Sequence, residues 1–300
     1  MRALRLAGSL AGMILALYLY VVFFHPRAKA ADHPFFTGER TLAIAHQGGR
    51  GLWPENTLLA FGRALDLGVD VLEMDLRGTS DGHIIVHHDA SVERTTEGAG
   101  FVRELTLDEI RKLDSGYRFA VETDGIASHP YRGQALAVPT LLEVLGRFPE
   151  SRLNLEMKEF DPKLARALCA TLRKNGFADR ALVASFDHEP MAAFRGACPE
   201  IATSATLREG LAFYQLDRLR LGSLYRSPAV AFQFPEYFGE IHVIRPSFLE
   251  RARSFNVRVQ VWTVNEDKDL ARMLAMGVDG IVTDYPDRLL RLMGRLARMP

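Results

Sequence analysis

The chain has little that would draw it to nucleic acid. Lys plus Arg and Asp plus Glu are both 37 in 300 residues, the formal net charge is zero, and no basic patch interleaved with aromatics replaces the missing field. Cysteine is almost absent: Cys169 and Cys198 are the only two, in helix-like segments without metal-ligand spacing, so a disulfide is open but not indicated. No Gly-rich phosphate loop is present, which argues against a Rossmann unit, and no G-x-S-x-G elbow surrounds Ser185, which weakens a serine hydrolase. No linker divides the chain. The remainder, 48% hydrophobic and 25% charged, is ordinary globular material, enough for one large domain or two small ones.

One long hydrophobic run stands out. Residues 7–24, AGSLAGMILALYLYVVFF, follow Arg2 and Arg5 and would rise roughly 27 Å as a helix, close to the hydrocarbon thickness of a bilayer. The run exceeds the roughly 7 to 15 apolar residues of a cleavable signal, and Tyr18, Tyr20, Phe23 and Phe24 resemble an interfacial belt. The expectation is an N-terminal membrane-spanning anchor within residues 1–36, with residues 37–300 outside the cytoplasm. Arg27 and Lys29 weaken that orientation, and Ala28-Lys29-Ala30 offers the alternative of signal cleavage, which would leave the domain secreted or periplasmic.

Beyond residue 40 short apolar runs alternate with amphipathic ones. TLAIAH (41–46), VDVLEMD (69–75), RLNLEMK (152–158), ALVASF (181–186), IATSA (201–205), AVAFQF (229–234), VRVQVWTV (257–264) and DGIVTD (279–284) read as strands. Helical patterns lie between most of them, several closing on Gly68, Gly176 and Gly277. Eight β-then-α repeats predict an α/β fold, a parallel (β/α)8 TIM barrel, with residues 114–138 as an inserted loop region.

The stretch VLEMDLRGTSDGHIIVHHD (71–89) puts unusual charge into a core strand. Asp81-Gly82 is a strong hairpin signal, because a type I′ turn needs positive φ at both central positions. With those two residues as the loop, Arg77 faces Val86 and Asp75 faces His88, roughly 5 Å apart at Cβ. Glu73 shares their face by alternation. Two neighbouring acids repel, so a cation or a shared proton must balance them, and a metal is the simpler answer. His46 ends the first strand, and Glu156 and Lys158 share a face of NLEMK. Glu73, Asp75 and Glu156 form an all-oxygen set suited to Mg²⁺ or Ca²⁺ rather than zinc. A divalent cation beside a lysine suits phosphate, and two histidines supply a general base and acid, which together describe phosphoryl-ester chemistry.

Singly, each feature has a plainer reading. A histidine at a strand end is commonly a satisfied core residue, and E-x-D is commonly a salt-bridged rim. His87 points away from His88 by alternation, and Asp89 caps a turn or orients a neighbour. Trp262 is equally barrel filling or an apolar wall of the cleft.

Taken in order, AHQGGRGLWPENTLLAF, GVDVLEMDLRGTSDGHIIVHHDASVERTT, VPTLLEV, NLEMK, VQVWTVN and GVDGIVTDYP resemble the glycerophosphodiester phosphodiesterase family over residues 41–287. The resemblance implies a TIM barrel hydrolysing glycerophosphodiesters to glycerol 3-phosphate and an alcohol with one divalent cation. It implies His46 and His88 as the acid–base pair, Glu73, Asp75 and Glu156 as metal ligands, and Lys158 as a phosphate contact. It also implies that Glu55 and Asn56 brace the metal site. The family usually has His-Arg-Gly where this chain has His46-Gln47-Gly48. Gln47 donates a hydrogen bond without charge, and Arg50 is the candidate substitute. Rival readings keep the same residues: lysophospholipase D-type hydrolysis of lysophospholipids, a metal-dependent lyase or isomerase, or a membrane-tethered binding module without turnover.

Overall fold

The computed structural model describes residues 2–36, 38, 41–159 and 161–296, with side chains described from Leu10 onward. The strands are β1 (Leu42–Ala45), β2 (Val71–Gly78), β3 (Ile84–Val86), β4 (Val121–Thr123), β5 (Ile126–Ser128), β6 (Arg152–Met157), β7 (Ala181–Ala184), β8 (Ala202–Thr203), β9 (Ala231–Pro235), β10 (Tyr237–Phe238), β11 (Ile241–His242), β12 (Arg258–Trp262) and β13 (Gly280–Thr283). The α-helices are α1 (Arg2–Phe23), α2 (Leu58–Leu67), α3 (Leu107–Ile110), α4 (Leu141–Arg147), α5 (Pro162–Lys174), α6 (His188–Ala197), α7 (Leu207–Arg218), α8 (Pro246–Ser254), α9 (Asp267–Met276) and α10 (Pro286–Leu292).

Eight strands pair in parallel in the order β8-β7-β6-β2-β1-β13-β12-β9, and a Ser204–Ala231 bridge joins the two ends, nearly closing the expected barrel. Its strands read as continuous apolar runs because both faces are buried. Alternation sorts them. Ala43, Ala45, Leu72, Met74, Leu153 and Leu155 face outward against the helices, whereas Leu42, Ile44, Val71, Leu182, Ala202, Ala231 and Val282 fill the interior. Helices begin on capping threonines such as Thr57, which accepts from the Ala60 N–H, and α2 and α9 stop at Gly68 and Gly277, whose φ values of 91° and 74° suit glycine. Residues 114–138 carry an exposed β4–β5 hairpin, tied down by the buried Asp114 carboxylate, which accepts from the N–H groups of Gly116, Gly133 and Leu136.

The hairpin register differs from the expectation by one residue. Arg77 pairs with Ile85, and Leu76 with Val86. The Thr79 hydroxyl accepts from the His83 N–H, and the Thr79 C=O accepts from Gly82, so Ser80 joins Asp81 and Gly82 in a three-residue loop. The ladder ends with the His87 N–H donating to the Asp75 C=O. Asp75 therefore does not face His88 across the strands. His88 lies just past the ladder, its C=O accepting from Arg77 Nε at 2.8 Å.

The two cysteines form a Cys169–Cys198 disulfide tying α5 to the end of α6. Closing a loop of this length contributes about 3–4 kcal/mol in the chain-entropy account. The chain before β1 reaches the N-terminal end of the barrel: Phe35 is buried among the interior residues, and its C=O accepts from Arg152.

The expected membrane span is not supported. Among the described residues, no helix is long and apolar enough to cross a membrane. The end of α1 rests on the barrel, with Val21 buried and its C=O accepting from Ser223 Oγ at 2.9 Å.

Candidate active site

At the C-terminal ends of the barrel strands lies a cavity of about 300 Å³, and its lining includes His46, Glu73, His88, Glu156 and Lys158. The ends of β1 and β6 deliver His46, Glu156 and Lys158, β2 delivers Glu73 from within the strand, and the loop after β3 delivers His88. Parallel pairing sets Asp75 beside Glu156, and Glu73, Asp75 and Glu156 each place a carboxylate oxygen within 4.8 Å of the others. Lys158 Nζ lies 2.7 Å from Glu156 and 3.3 Å from Asp75.

Two buried acids and a partly buried third with one lysine leave negative charge uncompensated, and the protonation equilibria carry that imbalance. Burial, followed by the neighbouring Asp75 charge, pushes Glu73 up to about 8. Burial also raises Glu156, against the pull of Lys158. For Asp75 burial acts upward, but Lys158, His88 and the Asn56 hydrogen bond outweigh it and hold the carboxyl below its usual range. A hard divalent cation suits this arrangement: the donors are all oxygen, they converge, and one of them holds a proton for want of positive charge.

Each histidine is gripped from behind. His46 Nδ1 meets Asp284 at 2.6 Å, and Asn265 Nδ2 donates to the other Asp284 oxygen at 2.8 Å. Burial disfavours the His46 cation, but the Asp284 hydrogen bond and the Glu73, Asp284 and Asp75 charges prevail and raise its pKa. His88 Nδ1 meets Asp89 at 2.7 Å; Arg94 bonds Asp89 and reaches Glu55 with a second nitrogen at 2.8 Å. Burial opposes ionisation of Asp89, yet its bonds from Arg94 and His88 bring it down to about 2. Neither imidazole Nε2 makes a hydrogen bond among the described residues, so both remain available to a ligand.

The sequence-expected residues separate into groups. His46, Glu73, His88, Glu156, Lys158 and Trp262 line one cavity, with Asp75 just behind. Gln47 does not reach it. Its side chain is fully buried, Nε2 donates to Asp75 at 2.6 Å, and its backbone N–H donates to Glu73 at 2.8 Å. The substrate contact expected of Gln47 is thus replaced by a grip on the acids, because the tight turn after β1, with Gly48 pressed against Ala60, aims the side chain inward. Arg50 lies beside Gln47, Glu55 and Asp284 and is absent from the cavity lining. Asn56 braces Asp75 at 3.0 Å, whereas Glu55 braces the His88 relay instead of the acids. Asp284, Asn265, Arg94, Asn154, Gln233 and Ser204 escaped the sequence reading. Asp284 ends a strand already recognised, so the strand-end rule had the signal for it, and alternation with Glu156 had one for Asn154; the long-range link from Arg94 to Glu55 had none.

The opposite half of the cavity is neutral, with a rim of Phe186, Leu207, Phe238 and Trp262. Phe186 and Trp262 pack edge to face, their ring centres 5.9 Å apart.

This geometry meets its counterparts in known proteins. The glycerophosphodiester phosphodiesterase of Caldanaerobacter subterraneus subsp. tengcongensis is 34% identical over 260 residues, covering 84% of this chain and 98% of that protein. That of Bacillus subtilis is 32% identical over 287 residues, covering 93% and 95%. The crystal structure of a glycerophosphodiester phosphodiesterase from Agrobacterium tumefaciens superposes with a TM-score of 0.68 at 26% identity, covering 84% of this chain and 99% of that one. The sequence model of one family spans residues 46–288, from the first cavity histidine to just beyond Asp284. With the acid cluster and both histidines inside that span, the chain belongs to the glycerophosphoryl diester phosphodiesterase family.

Proposed function

We propose that the chain hydrolyses glycerophosphodiesters to glycerol 3-phosphate and an alcohol, by acid–base catalysis between His46 and His88 at a site dependent on a divalent cation. The observation that carries this reading is a single cavity with two carboxylate-held imidazoles, three converging acids and a lysine. Glu73, Asp75 and Glu156 would hold Mg²⁺ or Ca²⁺, which when bound polarises phosphoryl oxygens as a Lewis acid. Lys158 pairs with a non-bridging phosphate oxygen. One imidazole takes the proton from the nucleophile, either water or the glycerol 2-hydroxyl, and the other donates a proton to the departing alkoxide. Asp284 and Asp89 hold each ring with Nδ1 turned inward and Nε2 turned toward the cavity. With glycerophosphocholine as substrate, the full-length protein is expected to yield glycerol 3-phosphate and choline, resolved by ³¹P NMR. Phosphocholine and glycerol, or no turnover in Mg²⁺ or Ca²⁺, would overturn the reading.

The apolar rim favours a second reading, lysophospholipase D-type hydrolysis with an acyl chain lying over Phe186, Leu207 and Phe238. Comparing acylated with deacylated substrates separates the two.

We also propose that the domain works outside the cytoplasm, held at a membrane by α1. The disulfide supports an oxidising compartment, and α1 presents exposed Leu10, Met13, Ile14, Leu17 and Phe23. Cells lysed in an alkylating reagent should yield unmodified Cys169 and Cys198 in protein that sediments with membranes. Alkylated cysteines in the soluble cytoplasmic fraction would refute this.

A further inference from the structure

Between Leu10 and Tyr20 every residue of α1 is exposed, and none of them carries a charge. A helix without a polar face is stable only where something apolar surrounds it. Its other end is fixed to the barrel. Tyr18 Oη donates to the Leu219 C=O at 3.3 Å, and Ser223 Oγ donates to the Val21 C=O. A strap follows, in which the Ala30 N–H donates to the Phe255 C=O at 2.7 Å, Asn256 Nδ2 donates to the Ala30 C=O at 2.9 Å, and the His33 ring bonds the Glu200 C=O at 2.9 Å. Leu219, Ser223, Phe255 and Glu200 all stand in helix-to-strand connections, at the N-terminal end of the barrel. The catalytic cavity opens at the opposite end.

The surface around that attachment is cationic. Arg27 and Lys29 on the strap, and Arg218, Arg220 and Arg226 beside the contacts of α1, are exposed, and none makes an ion pair among the described residues. Other cations of the same end are paired: Arg173 with Glu200, Arg180 with Glu150, Arg251 with Asp217 and Arg258 with Asp279. Arg226 Nη1 donates to the C=O of Ser223, the residue that holds Val21. Leu219 and Leu224, both exposed, stand among these arginines. An apolar helix with unpaired cations and leucines at its base matches a bilayer, hydrocarbon within and phosphate at the surface. A second copy of the chain fits worse, because a shared α1 contact would bring like cations together. Resting on the membrane association proposed above, we infer that the N-terminal end of the barrel docks on an anionic bilayer: α1 enters the apolar layer, the five cations meet lipid phosphates, and the catalytic mouth is turned toward water. Substrate then reaches the cavity from solution and not from the membrane that holds the enzyme.

The test titrates the full-length protein with phosphatidylcholine vesicles, with and without phosphatidylglycerol. An environment-sensitive dye sits on one introduced cysteine, Leu224→Cys at the base or Glu240→Cys in the β10–β11 hairpin beside the mouth. On anionic vesicles the base dye is expected to shift to the blue and to lose access to aqueous iodide, and the hairpin dye to do neither. R218Q, R220Q and R226Q together should raise the lipid concentration needed by about a hundredfold, about fivefold per cation, and high salt should shrink that gap. R218K, R220K and R226K together should bind as wild type does, since charge and not shape is at issue. Turnover of glycerophosphocholine in solution should be unchanged in both triple variants. Shielding of the hairpin dye instead of the base dye, equal binding to neutral and anionic vesicles, or wild-type binding by the glutamine variant overturns the inference. Binding to neither kind of vesicle would instead overturn the membrane association on which it rests.

Discussion

His46→Ala and His88→Ala are each expected to lower kcat for glycerol 3-phosphate release by about 10²- to 10⁴-fold, the usual contribution of a positioned proton-transfer group. KM should change far less, because on the proposed reading the phosphate is held by Lys158 and the acid site and not by the rings. Removing both histidines should cost much less than the product of the single losses, since base and acid act in one displacement. Asp284→Asn separates chemistry from mere packing. The amide keeps the shape at His46 Nδ1 but removes the charge and offers an N–H as readily as an oxygen, which disturbs the tautomer that leaves Nε2 available. A kcat loss at unchanged melting temperature is the expected signature. Either alanine variant within tenfold of wild type in steady-state assays would remove that histidine from the mechanism.

Exhaustive chelation is expected to bring turnover to background, and returning Mg²⁺ or Ca²⁺ should restore it with uptake coupled to proton release. The sign follows from Glu73. Its pKa in the cation-free protein is pushed up to about 8, so at neutral pH it carries a proton that a divalent cation must displace. Cation affinity should therefore rise with pH up to about 8, and titration calorimetry at pH 7 in buffers of different ionisation enthalpy should find up to one proton released per cation. Glu73 also has a stability consequence. A carboxyl whose folded pKa is raised binds its proton more tightly folded than unfolded, so its contribution diminishes as pH climbs from about 4.5 to about 8. Bound cation should erase that decline in the melting temperature. Full activity after chelation, with no metal found by mass spectrometry, would sink the requirement.

Much of the site was legible before any coordinates, and particular residues explain why. Glu73 and Asp75, and likewise Glu156 and Lys158, are two apart in strands, where alternation alone puts them on one face. His46 ends its strand, where a barrel gathers its chemistry; Asp284 ends another and was passed over. His88 was found by a register that proved one residue off. It reaches the cavity because the chain leaves the ladder after His87. The relay behind it, Asp89 to Arg94 to Glu55, joins residues 5 and 39 positions apart, and no local pattern announces such a link. Gln47 is the sharpest reversal: by the family resemblance a neutral stand-in for a phosphate-binding arginine, in space a donor to Asp75.

Apolar periodicity, glycine stops and strand-end charge by themselves determined the barrel, the class of its chemistry and the acids and histidines of its mouth. Those features arise from sterics and solvation acting within a few neighbouring residues. Which imidazole rests on which carboxylate, that Gln47 turns inward, that Cys169 meets Cys198 and that Asn154 keeps an unpaired oxygen were settled only when the sheet curled shut. Curling brings strands distant in sequence into contact, and their stagger depends on how every helix packs outside, a quantity no single segment carries.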